Sequence, residues 1–284
     1  MAQETTSSFT GNPFLDGILW GHGLGTSNAV KWDSNNLTYS YSGAWSSWEQ
    51  AAVENAFEFI SNVTGMTFTE TGGSSDLEFF QYNLNDLTLG EARPPDPTFW
   101  SSSETGDVHF NTYYSEAWSS ANTQVGSYGF ITVIHEIGHA LGLGHPHDNA
   151  FVFPGVTSPS DKGDGGLNRN LYTVMSYNDY GDVFHPNGET GYGYQTLGAF
   201  DVAALQHLYG TNTNQNGGDT TYVIPTDNGA GTYYQTIWDT GGTDTISYSG
   251  SGNNQINLRP ATLSADDGSN SSGGLSSASA IYGG

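Results

Sequence analysis

Apolar positions along the chain switch between two periods, and the switches mark out its elements. LTYSYSG (37–43) alternates with period two and predicts a strand, as do MTFTE (66–70), DLEFFQY (76–82) and DVHFNT (107–112). From Ser46 the period lengthens. Trp48, Ala52, Val53, Ala56, Phe57 and Ile60 recur at near-helical intervals, and Ser46 with Glu49 has capping-box spacing. A second helix is predicted over 128–143, striped by Ile131, Ile134, Ala140 and Leu141. A third runs through LGAFDVAALQHLYG (197–210), with Thr196 as its cap and Gly210 as its stop. The long stretch between the second and third helices has little periodicity, which in a compact domain marks function or disorder. Pro94, Pro95 and Pro97 mark a sheet edge or a loop. Residues 1–30, with Gly17, Gly21, Gly23 and Gly25, read as an irregular arm.

The pattern changes after Gly210. TNTNQNGGDTT reads as a linker, and TYVIP, YYQTIW, DTISYS and QINLR follow as short strand-like pieces separated by Gly, Asn, Ser and Asp. Of these, GGTDTISYS (241–249) has the form of a glycine/aspartate calcium repeat, and a solenoid needs several. The expected class is α+β, with a main domain over 1–212 and a β-rich extension over 213–284.

Composition narrows the function. At 284 residues the chain can bury one good-sized core plus an appendage, and its 13% aromatic content argues against disorder. With 29 acidic residues against five basic ones, its net charge of −24 repels nucleic acid and anionic lipid. The same charge suits hard cations such as calcium. There is no cysteine, so disulfides are excluded and a transition-metal site must use His, Asp, Glu or Tyr. No apolar run approaches the roughly eighteen residues of a membrane-spanning helix. MAQETTSSFTGNPF lacks the basic and apolar regions of a cleavable signal peptide.

Against that background HEIGHALGLGHPH (135–147) stands out. On a helix, positions i and i+4 share a face, so His135 and His139 can hold one ion. Glu136 lies about 100° round the helix. It is poorly placed as a third ligand and well placed as a general base on bound water. Gly142 and Gly144 end the helix, and the turn returns His145 to the ion, which a continuing helix would carry away. Three neutral imidazoles with an open position form a catalytic zinc site, in which Zn²⁺ acidifies water and polarises a carbonyl. The extended pattern HExxHxxGxxH calls for a methionine turn downstream, and YTVMSY (172–177) supplies Met175.

These motifs, with DVAALQHLYG after them, resemble the serralysin-type metzincins, zinc endopeptidases, from the helix near Trp48 to the end. The resemblance implies a metzincin fold: a twisted mixed sheet, a long active-site helix, and an irregular lower subdomain. An extended peptide or unfolded protein lies along an edge strand, here between Leu87 and residue 128. It implies Tyr177 as a further zinc ligand whose phenol stabilises the oxyanion. His147 stands where the family more often has a small residue and is left off the metal. His22, His109, His185 and His207 are expected to be structural. NGGDT (216–220) and DTGGTD (239–244) resemble the family's first calcium site. The implied ligands are Asn216, Gly218, Thr220, Asp239, Gly241 and Asp244. The tandem repeats of the family's β-roll are missing, so the extension reads as the start of a truncated or shortened β-roll. The implied protein is a secreted monomer without an N-terminal signal peptide, open to a proteinaceous inhibitor. It has no nucleic-acid or membrane partner, and its overall field disfavours acidic substrates. The competing reading is a catalytically silent zinc- and calcium-binding module with the same fold. A base at Glu136 argues against that reading, because a structural site has no use for one.

Overall fold

The computed structural model describes residues 1–21, 28–84, 86, 88–178, 194–226, 231–251 and 263–265. Its centre is a mixed five-stranded sheet of β3 (Asn36–Tyr41), β4 (Thr67–Glu70), β5 (Leu77–Tyr82), β6 (Gly90–Ala92) and β7 (Asp107–Asn111), in the order β4-β3-β5-β7-β6. The first four run parallel, and β6 closes one edge antiparallel to β7. Leu37, Tyr39, Leu77, Phe79, Val108 and Phe110 are buried on one face, the alternation their strands predicted.

Two helices cover that face. Helix α2 (Ser47–Thr64) begins with the expected capping box, Ser46 and Glu49 each bonding the other's backbone. It ends on Gly65 in the left-handed conformation and buries Ala52, Val53, Ala56, Phe57 and Ile60. Helix α3 (Tyr128–Ala140) packs on α2 and lies against β6 and β7. Every residue from Gly129 to Ala140 is buried, so it runs through the centre of the molecule.

Several expectations are corrected. The N-terminal region is not irregular throughout: β1 (Glu4–Ser8) pairs antiparallel with β2 (Asn28–Trp32), and a short α1 (Pro13–Asp16) is capped by Asn12. ETTSS carries no apolar alternation, so this strand is specified by its partner rather than by its own pattern. Helix α3 stops at Ala140, three residues early. Helix α4 (Ala199–Tyr209) begins from Gly198 rather than Thr196, whose backbone N–H and hydroxyl are both bonded to the Tyr234 carbonyl. Gly210 ends α4 as expected.

In the C-terminal part, β8 (Thr221–Val223) pairs parallel with β9 (Thr245–Ser247). Among the described residues, YYQTIW forms one isolated bridge, Gln195 to Tyr234. Its backbone runs over the main body, through Tyr234 N–H to the Tyr194 carbonyl and Thr236 N–H to the Leu197 carbonyl. QINLR lies outside the described residues. No helix among the described residues is long and apolar enough to cross a membrane.

Candidate metal centre

Helix α3 presents His135, Glu136 and His139 on consecutive turns, and its end delivers His145. The ending is a Schellman motif: Leu143 N–H bonds the Gly138 carbonyl and Gly142 N–H bonds the His139 carbonyl. Gly142 takes φ +96°, and a Cβ there would lie 2.4 Å from the Val30 carbonyl oxygen. Gly144 has no positive φ. A Cβ there would meet the Asn149 side-chain amide at 2.5 Å, so it permits a close approach rather than the helix stop. The last carbonyls of α3 are satisfied from afar. Trp32 Nε1 donates to Ala140 and Tyr209 Oη donates to Leu141.

The three imidazoles converge. His145 Nε2 lies 3.2 Å from His135 Nε2 and 2.9 Å from His139 Nε2. Their other nitrogens decide the tautomers. His135 Nδ1 sits 2.7 Å from the Val174 carbonyl and His139 Nδ1 2.9 Å from the Leu143 carbonyl. A carbonyl only accepts, so both Nδ1 atoms carry the proton and both Nε2 atoms are bare lone pairs. His145 Nδ1 faces the Asp148 carboxylate at 3.0 Å and donates likewise. The bare Nε2 atoms of His135 and His139 therefore converge with His145 Nε2 on one point. Nitrogens so gathered suit a cation, and neutral imidazoles are ligands for zinc. Burial, then neighbouring His145, pulls His135 down to about 3, and His139 also falls well below its usual range. Both rings therefore stay neutral.

Tyr177 joins the cluster, its Oη 2.9 Å from His145 Nε2, while the residue as a whole is 58% exposed. Burial of the phenol and the nearby Glu136 and Asp148 raise its pKa, keeping it a donor. Met175 is fully buried beneath α3, and a Cβ at Gly138 would lie 2.9 Å from its Sδ. His147 stacks on His145 and stays outside the three-nitrogen cluster.

Glu136 is 5% exposed and lies under the edge strand, where a Cβ at Gly90 would stand 2.9 Å from its Cγ. Burial, with Glu91 adding repulsion, pushes its carboxyl up to about 8. Asn111 N–H bonds the Leu89 carbonyl and Arg93 N–H the Asp107 carbonyl. By the antiparallel pattern, the backbone groups of Gly90 and Ala92 then face away from β7, towards the open edge. That edge falls within the predicted interval.

Two residues escaped the sequence reading. Asp148 holds His145, and its signal was a carboxylate three residues past that histidine. Asp201, in α4, accepts from Thr173 Oγ1, Val174 N–H and Gly198 N–H, fixing the turn whose carbonyl orients His135. Burial raises its carboxyl to about 7 against the pull of those bonds. Asp201 opens the DVAALQHLYG motif, but its link to the turn was not legible there, because Thr173 and Val174 lie 28 and 27 residues upstream.

The two segments expected to bind calcium do meet. Thr220 N–H bonds Asp244 Oδ1 at 3.0 Å, and Thr243 N–H bonds Asp219 Oδ1 at 2.8 Å. Asn216 takes a positive φ of 50°. Thr220 Oγ1 donates to the Gly218 carbonyl, and Asp239 accepts from Gly241 N–H and Tyr222 Oη. Among the other histidines, His109 bonds Glu91 and His207 bonds the Ser8 carbonyl. His22 and His185 lie outside the described residues.

Comparison with known proteins gives two family matches: matrixin over residues 31–167, and peptidase M10 serralysin C terminal over 200–281. The chain is 31% identical to serralysin of Proteus mirabilis, over 80% of this chain and 52% of that protein. It is 32% identical to metallopeptidase AprA of Pseudomonas marginalis (76% and 47%) and 31% to serralysin G of Dickeya chrysanthemi (74% and 45%). The chain thus spans about half the length of the curated relatives it matches.

Proposed function

The chain belongs to the serralysin-type metzincins, and from that premise we propose that it is a zinc-dependent endopeptidase acting on extended peptides or unfolded proteins outside the cell. The observation that carries the reading is the position of Glu136. A buried carboxyl lies beneath an open sheet edge, on the helix that supplies two of the three converging imidazoles.

His135, His139 and His145 would hold zinc, with Tyr177 as a further ligand. Zinc, when bound, supplies a Lewis acid that acidifies water and polarises a carbonyl oxygen. The chain's own residues do the rest. The outward N–H and C=O groups of Gly90 and Ala92 pair with the substrate backbone as an added strand, which draws the peptide across Glu136. Glu136 takes a proton from the attacking water as its oxygen bonds to the carbonyl carbon, and delivers that proton to the amide nitrogen as the C–N bond breaks. Tyr177 Oη donates a hydrogen bond to the charge that develops on the carbonyl oxygen. The raised pKa of Glu136 suits both halves of that transfer.

The division into a protease domain over 1–212 and a calcium-binding extension over 213–284 is part of the same proposal. Asn216, Gly218, Thr220, Asp239, Gly241 and Asp244 supply oxygen-rich loops for calcium. Their proximity supports the site. The Asp239 and Asp244 carboxylates would exchange their present hydrogen bonds for the ion.

The test is casein cleavage with and without a zinc chelator, beside Glu136→Ala. The wild type should lose its activity to chelator and regain it with zinc, while the variant falls at least about 100-fold, the usual contribution of a general base. Wild-type activity that survives the chelator, or is no greater than that of Glu136→Ala, would overturn the zinc mechanism, and no activity in either protein would favour the catalytically silent module.

A further inference from the structure

Past His145 the chain carries more ligand chemistry than one ion uses. His147 does not join the three-nitrogen cluster. Its ring stacks on His145 with centroids 5.0 Å apart and planes within 10°, and it leans on Tyr177 at 4.9 Å. Its side chain is only 5% exposed, yet its buried Nδ1 has no hydrogen-bond partner among the described residues. Nε2 faces Asp148 Oδ2 at 3.7 Å, beyond hydrogen-bond range. Two zinc–ligand bonds of about 2.0–2.2 Å, opened to a tetrahedral or slightly wider angle, span about 3.3–3.8 Å. The gap is too long for a shared proton and the right width for an ion.

Asp148 can serve both rings. Each of its oxygens lies 3.0 Å from His145 Nδ1, so Oδ1 can keep that hydrogen bond while Oδ2 turns to an ion. Its side chain is half-exposed, which leaves the remaining coordination positions open to water. Ligand atoms of His145, His147 and Asp148 all lie within 4.8 Å of one another. We infer that His147 and Asp148 form a second divalent-metal site, for a borderline ion such as Zn²⁺ or Cu²⁺, coupled to the first through the carboxylate they share with His145. With two protein ligands it binds more weakly than the three-histidine centre. Filling it draws charge from the carboxylate that orients His145 and sets a cation beside Tyr177, so excess metal slows the enzyme. That last consequence rests on the endopeptidase reading; the site itself does not.

The experiment titrates the metal-free chain with Zn²⁺ in saturating calcium and counts bound zinc by equilibrium dialysis and elemental analysis. Wild type should take up a second equivalent. His147→Phe, which keeps the stacked ring and removes both nitrogens, should stop at one, and His147→Gln serves as a second variant. A wild type that stops at one equivalent, or variants that still reach two, overturns the site. Zinc inhibition of casein cleavage, measured in parallel, should appear in wild type and vanish in both variants. If the second equivalent binds and no preparation cleaves casein, the endopeptidase reading fails while the site stands.

Discussion

Asp148 and Gly138 show how much of the centre depends on single atoms beside the ligands. Asp148→Asn keeps the size of the side chain but removes the charge facing His145 Nδ1. Zinc affinity should fall about 10- to 100-fold, read by competition with a chromogenic chelator. At Gly138 an added methyl group lies 2.9 Å from Met175 Sδ, so one of the two must move. Gly138→Ala should cost about 1–3 kcal/mol in urea unfolding of the metal-free protein. His109 gives the pH dependence. Burial pulls its pKa down, but hydrogen bonds and charge from Asp107 and Glu91 outweigh that and raise it. Because the folded pKa exceeds the unfolded one, the stabilisation is complete below about pH 6.5 and is lost as pH rises through the folded value. The stability gap between wild type and His109→Gln should therefore be largest below about pH 6.5 and shrink as pH rises through the folded value. An unchanged gap would remove His109 from the account.

At the scale of elements, the centre is the meeting of a helix, a turn and an edge strand. The turn is held from α4, where Asp201 satisfies three donors at once. Asp201→Ala strands a hydroxyl and two backbone N–H groups, at about 1–3 kcal/mol for each buried orphan. The metal-free variant should be severely destabilised in chemical denaturation, and a loss below about 1 kcal/mol would show that water replaces the carboxylate. The end of α3 is held from the N-terminal arm. Trp20 N–H bonds the Gly142 carbonyl, Gly144 N–H bonds the Ile18 carbonyl, and the Val30 carbonyl fills the space a Cβ at Gly142 would need. The arm thus fixes where the chain turns towards His145. Helix periodicity and the capping box at Ser46 were legible because both are local. The arm's part was not, because its strand is polar and its partners lie far along the chain.

At the scale of the molecule, charge and the C-terminal segment matter most. A net charge of −24 repels itself, so added monovalent salt should raise the melting temperature, and cationic peptides should be cleaved faster at low salt than at high. A specificity constant independent of salt would show that the field does not reach the cleft. The segment around Tyr234 bonds residues 194–197, joining the loops proposed for calcium to the body that carries the histidine cluster. Calcium chelation should therefore lower the melting temperature of the whole chain, and Asp239→Ala with Asp244→Ala should abolish that shift. By itself the sequence determined what local rules control: strand and helix periods, a capping box, two histidines on one helical face, a glycine where the chain turns, and the family those motifs belong to. Only the tertiary structure decided that Glu136 lies beneath the edge at Gly90, that Val174, Leu143 and Asp148 face the outer nitrogens of the three imidazoles, and that His147 stands apart from them, facing the carboxylate His145 also uses. Those facts depend on atoms distant in sequence approaching within a hydrogen bond, and no local period encodes such distances.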